Sequence, residues 1–148
     1  MAETVLLVED DETNRLLVEA VLASVGGFEV IGTDDGDRVL ELTAEHDLAA
    51  VVMDVSLRGT EVAGEKVDGV ELTRRIRRLE RGAQLPIILL TAHAMTGDRE
   101  RLLFSSGAND YVPKPITDPN AFVKLLRTHI DTFGDMVAGS ASPGPAST

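Results

Sequence analysis

Short apolar runs recur along the chain, and between them apolar residues fall three or four positions apart. The runs are Val5-Leu6-Leu7-Val8, Phe28-Glu29-Val30-Ile31, Ala49 to Met53, Pro86 to Leu90, and a weaker Asp110-Tyr111-Val112. Each is short enough to be a buried strand, and the intervening periodicity is that of amphipathic helices. Residues 12–25 place Leu16, Leu17, Ala20, Val21 and Val25 on one predicted face, and residues 36–46 carry Val39, Leu40 and Leu42. Residues 69–81 place Leu72, Ile76 and Leu79 inward with arginines outside, and residues 98–106 carry Leu102 and Leu103. Residues 120–133 turn Phe122, Leu125, Leu126, Ile130 and Phe133 inward. Gly26-Gly27, Gly82 and Gly107 stand where these helices should stop.

Five strands alternating with five helices predict an α/β fold, a doubly wound parallel sheet with helices on both faces. Right-handed crossovers leave few topologies, and for five strands the flavodoxin-like order 2-1-3-4-5 is favoured. Ligands then sit beyond the C-terminal ends of the first and third strands. After Phe133 the chain turns to Gly, Ser, Pro and Ala, so a single domain over 1–134 and a disordered tail over 135–148 are expected.

Composition narrows the function classes. The 148 residues carry a net charge of −11, which disfavours non-specific binding to nucleic acid or an anionic membrane. There is no cysteine, which removes disulfides, thiol catalysis and thiolate zinc sites. No basic-then-apolar leader opens the chain, and no apolar run nears the ~18 residues needed to span a bilayer. A cytoplasmic protein is expected.

The chemistry lies where the strands end. The first strand stops on Glu9, Asp10 and Asp11, the third on Asp54, the fourth on Thr91 and the fifth on Lys114. In a parallel sheet these ends share one edge. Converging carboxylates repel and resist ionisation unless a cation holds them. An open set of carboxylate oxygens suits Mg²⁺. A carboxylate beside such a cation can act as nucleophile towards phosphorus, while metal and lysine neutralise the transferred group. Asp11, with Glu12 after it, reads rather as the start of the first helix, where a carboxylate suits exposed amides.

VEDD, MDV, TAHAM and YVPKP, in this order over about residues 3–133, resemble the receiver domain of two-component response regulators, the CheY-like fold. Each motif is weak alone; together they are specific. The resemblance implies that Asp54 accepts a phosphoryl group from a histidine kinase or histidine phosphotransfer protein. It implies that Glu9, Asp10, Asp54 and the Val55 carbonyl hold Mg²⁺. Thr91 and Lys114 would contact the phosphoryl group, and Thr91 and Tyr111 would act as the switch. Ser56 and His93 would tune the lifetime of the phosphoryl group. Lys114-Pro115 matches a bond that the family often holds cis, a form available mainly to X–Pro. Such a domain catalyses only its own phosphorylation and dephosphorylation. It would pass the signal to a downstream protein target, with no nucleic acid and no membrane involved.

Two departures stand out. Arg58 occupies a position that is usually proline. The separation of Asp54 from Asp68-Gly69 is about twice the usual one, which lengthens the loop over 58–67. Competing readings remain. A haloacid-dehalogenase-like phosphatase would want a second Asp where Ser56 stands. A phosphate-independent pseudo-receiver would be expected to have lost some of the acids. A receiver excised from a hybrid kinase would carry the same motifs. The run RRIRRLER (74–81) reads as a solvated helix face before a docking patch, and His46 and His129 are not at ligand spacing.

Overall fold

The computed structural model describes residues 2–92 and 98–141. The elements run β1 (Thr4–Val8), α1 (Glu12–Ser24), β2 (Glu29–Thr33), α2 (Gly36–Glu45), β3 (Ala50–Asp54), β4 (Glu61–Val62), β5 (Glu65–Lys66), α3 (Gly69–Arg77), β6 (Ile87–Thr91), α4 (Asp98–Ser106), β7 (Asp110–Pro113) and α5 (Pro119–Ala141). One sheet holds β2-β1-β3-β6-β7, every pair parallel. Counted without the β4–β5 hairpin, this is the expected order 2-1-3-4-5.

Alternation along the strands divides the core in two, because successive side chains point to opposite faces. Leu6, Val8, Val51, Met53, Ile87 and Leu89 pack with Val39 and Leu42 of α2 and Leu72 and Ile76 of α3. Val5, Leu7, Val52, Ile88 and Leu90 pack with Val18 and Leu22 of α1 and Phe122, Leu126 and Ile130 of α5. Among the described residues, four helices begin on an aspartate whose side chain accepts from first-turn amides: Asp11 for α1, Asp35 for α2, Asp68 for α3 and Asp118 for α5. The expected role of Asp11 is therefore observed, with Asn14 N–H donating to its carboxylate at 3.0 Å.

The structure departs from the sequence reading in four places. The expected inward stripe of α1 is misphased. Leu16 and Leu17 are 56% and 62% exposed, whereas Val18 and Leu22 are buried. Apolar residues fill 16–18 and 20–23, so the helical period admits more than one stripe and only the sheet chooses. The long loop after β3 also contains a hairpin, β4–β5, turned by Ala63 (φ 51°) and Gly64 (φ 84°). Positive φ at both residues suits a two-residue turn between twisted strands. Leu57, Val62 and Val67 bury themselves in the core, and Ala63 N–H donates to Asp37 Oδ1 at 3.0 Å, so the insertion is packed down. Helix α3 closes four residues early in tighter turns, with Leu79 N–H donating to Ile76 O and Gly82 N–H to Leu79 O. Finally, α5 continues to Ala141, past the expected tail start at 135. Its Gly134 and Gly139 cost a helix only about 1 kcal/mol each, and no proline intervenes. Residues 142–148 of that expected tail lie outside the described residues.

The arginine run is mostly stitching. Arg77 donates to the carbonyls of Gly82, Leu85 and Gly107 and to Asn109 Oδ1. Arg74 and Arg75 bridge to Glu71, and Arg81 to Asp47. His46 is exposed, and its main-chain N–H closes α2 on Leu42 O.

Candidate phosphoacceptor and cation site

Asp54 is the last residue of β3 and is only 2% exposed. β1 and β6 flank β3, so Glu9, one residue past β1, and Thr91, the last of β6, reach the same sheet edge. Glu9 is 1% exposed and Asp10 is half-buried. Oxygens of Glu9, Asp10 and Asp54 lie within 4.8 Å of one another. Lys114, just beyond β7, places Nζ 3.0 Å from Asp54 Oδ1 and 3.7 Å from Glu9 Oε1. Ser56 N–H donates to Asp54 Oδ1 at 3.2 Å. Above the acids is an open cavity of about 420 Å³, lined also by Asn14, Arg58 and Ala92.

The electrostatics follow from burial. Desolvation, then the neighbouring Asp54 carboxylate, pushes the Glu9 carboxyl up to about 8, against Lys114 and the Asp11 amide. Burial alone would lower the Lys114 ammonium, but Asp54 and Glu9 outweigh it and raise its pKa. Even with Glu9 protonated, the carboxylates of Asp10 and Asp54 outnumber the one ammonium and leave negative charge in excess. Glu9 Oε1 is buried with no hydrogen bond, Lys114 Nζ standing 3.7 Å away. A buried carboxylate oxygen left without a donor is what a cation would satisfy. The residues able to hold a divalent cation are therefore Glu9, Asp10 and Asp54. The Val55 carbonyl accepts from Gly69 N–H at 3.0 Å and keeps a second lone pair.

The other expected residues divide. Thr91 is buried at the strand end, and its carbonyl accepts from Lys114 N–H at 2.8 Å. The Lys114-Pro115 bond is cis, as expected. Tyr111 is half-buried on β7, with the Arg99 guanidinium 5.9 Å from its ring centroid. The Ser56 residue is exposed, and its main-chain N–H is what reaches Asp54. His93 lies outside the described residues. His129 is not packed alone: its Nε2 is 3.2 Å from Asp110 Oδ2.

Two features escaped the sequence reading. Gly69 has no room for a side chain, since a Cβ would meet Asp54 O at 2.0 Å. Its place beside the Asp68 cap was the only clue. Arg58 and Gly59 donate their N–H groups to Asp10 Oδ2, from 48 and 49 positions away, and no local pattern announces that.

The response regulator receiver domain family matches residues 5–127. The chain is 32% identical over 130 residues to the polar-differentiation response regulator DivK of Brucella ovis, covering 88% of this chain and 98% of that one. It is 35% identical to the receiver domain of a sensor histidine kinase from Pseudomonas aeruginosa, a structure solved with magnesium in its active-site cleft. That comparison has a TM-score of 0.74 and covers 88% of this chain and 99% of the other. A hybrid signal transduction histidine kinase of Dictyostelium discoideum shares 35% identity over 86% of this chain but only 7% of its own length. The chain belongs to the response regulator receiver domain family, the phosphosignalling domain of two-component systems. Among the described residues, no helix is long and apolar enough to cross a membrane.

Proposed function

We propose that this domain accepts a phosphoryl group on Asp54, with Mg²⁺ held by Glu9, Asp10, Asp54 and the Val55 carbonyl. The observation that carries this reading is the Lys114 ammonium on Asp54 Oδ1 within a triad of carboxylates, under an open cavity. A carboxylate oxygen of Asp54 attacks phosphorus, the phosphorus–nitrogen bond to the donor histidine breaks, and the imidazole leaves. Lys114 neutralises the charge spread over the phosphoryl oxygens. Mg²⁺, when bound, supplies further positive charge at the same group.

Thr91 then draws towards the new oxygens with Lys114, and Tyr111 follows inward, away from Arg99. The surface of α4, β7 and α5 changes for a downstream protein. His93 and the side chain of Ser56 tune how long the group lasts. The donor is a histidine kinase or phosphotransfer protein, met in the cytoplasm. Support for a protein donor comes from an apolar groove of about 440 Å³ beside the acids, floored by Leu17, Val21 and Ile116. It shares Asn14, Ala92 and Lys114 with the acidic cavity.

The test is incubation with acetyl phosphate and Mg²⁺ followed by intact-mass measurement. One phosphoryl adduct is expected, absent in Asp54→Asn and absent without Mg²⁺. A folded protein that gains no mass is instead a phosphate-independent binding module.

A further inference from the structure

The loop that departs from the family pattern is also the loop that touches the acids. Arg58 N–H donates to Asp10 Oδ2 at 2.6 Å, and Gly59 N–H reaches the same oxygen at 3.4 Å. Proline, the usual residue at position 58, has no N–H. The shorter of these bonds is therefore a property of this chain. The loop is also anchored. Leu57 and Thr60 are buried, Val67 N–H donates to Thr60 O at 3.0 Å, and the hairpin is tied to Asp37 through Ala63.

A carboxylate oxygen offers about two lone pairs, and two amides occupy them on Oδ2. Oδ1 keeps its own. The buried Glu9 Oε1, which accepts no hydrogen bond and has Lys114 Nζ only at 3.7 Å, is an independent sign that these acids are built around a cation. We propose that the main-chain N–H of Arg58 is a positioning donor for the divalent-cation site. It holds Asp10 by Oδ2, presents Oδ1 as a ready ligand, and so links cation affinity to the inserted hairpin. This rests on the cation-binding reading above. Hydrogen bonds that orient metal ligands typically change affinity by about 10–100-fold when lost.

Titration of Mg²⁺ into the full chain and into Arg58→Pro by calorimetry tests it, with metal-free unfolding recorded for both. The expected result is a dissociation constant about tenfold higher in Arg58→Pro, with a metal-free unfolding midpoint close to the parent's. Equal affinity overturns the proposal, and tighter binding overturns it in favour of an amide that competes with the cation. A parent chain that binds no Mg²⁺ removes the cation reading and the proposal with it. Should Arg58→Pro fail to fold, amide exchange in the unaltered chain decides. The Arg58 amide is expected to be protected without metal and no less protected with saturating Mg²⁺. Exchange at the rate of an unstructured peptide, or release of the amide by Mg²⁺, overturns the proposal.

Discussion

The ammonium of Lys114 lies 3.0 Å from Asp54 Oδ1, although 60 positions separate the two residues. It is the only basic side chain within ion-pair distance of the acid cluster among the described residues. Lys114→Ala is therefore expected to take up phosphoryl groups from acetyl phosphate about 100-fold more slowly, the scale of losing one preorganised donor. Time-resolved intact mass checks this, and a rate within about threefold of the parent would remove the ammonium from the mechanism.

Gly69 packs its Cα against the main chain of Asp54. A methyl group there would sit 2.0 Å from Asp54 O and 2.8 Å from Val55 Cα, and backbone cannot swing aside as a side chain can. Gly69→Ala should cost about 2–3 kcal/mol of stability, at the upper end of overpacking effects. A urea midpoint unchanged from the parent would show that α3 has moved to make room.

Arg77 is a cation without a carboxylate partner among the described residues, and burial pulls its pKa down to about 10. Its fork instead binds three carbonyls and Asn109 Oδ1, joining α3 to the turns before β6 and β7. Lysine has no such planar fork. Arg77→Lys should lose about 2–4 kcal/mol, because the carbonyls left behind are partly buried. Denaturant unfolding of the lysine and alanine variants reads this, and recovery of parental stability by lysine would contradict it.

Asp110 gives the pH dependence. Burial favours its neutral form, but the Tyr111 amide, Arg99 and His129 outweigh burial and hold its carboxyl below the ordinary 3.8. A depressed carboxylate adds stability above its unfolded value and loses it as the pH falls through the folded one. Asp110→Asn should cost about 1 kcal/mol at pH 7. The gap from the parent should close as the pH falls below 3.8. Urea unfolding at pH 7, 5 and 3 tests the sign; a gap that widens with acid would refute it.

Legibility differed by residue. Strands β1, β3 and β6 were readable because they are buried on both faces and so are apolar along nearly their whole length. The edge strands β2 and β7 are only partly buried and gave weaker, interrupted runs. Glu9, Asp54, Thr91 and Lys114 were readable for the reverse reason: they are polar groups placed directly against those runs. The face of α1 was not readable, since Leu16, Leu17, Val18, Val21 and Leu22 satisfy two stripes equally well. Nor was the β4–β5 hairpin, whose few residues lack a strand pattern and owe their shape to Asp37, Arg75 and the core beneath Val62.

The amino-acid sequence by itself determined the alternating architecture and the set of groups delivered to one sheet edge, because periodicity and strand ends are local properties of the chain. Tertiary structure alone decided which side of α1 meets the sheet, that Gly69 must be bare against Asp54, and that Asp10 is held by the amides of Arg58 and Gly59. Those depend on main-chain groups brought together from distant positions, and a main-chain N–H is the same in almost every residue, so the sequence carries no mark of where it will be used.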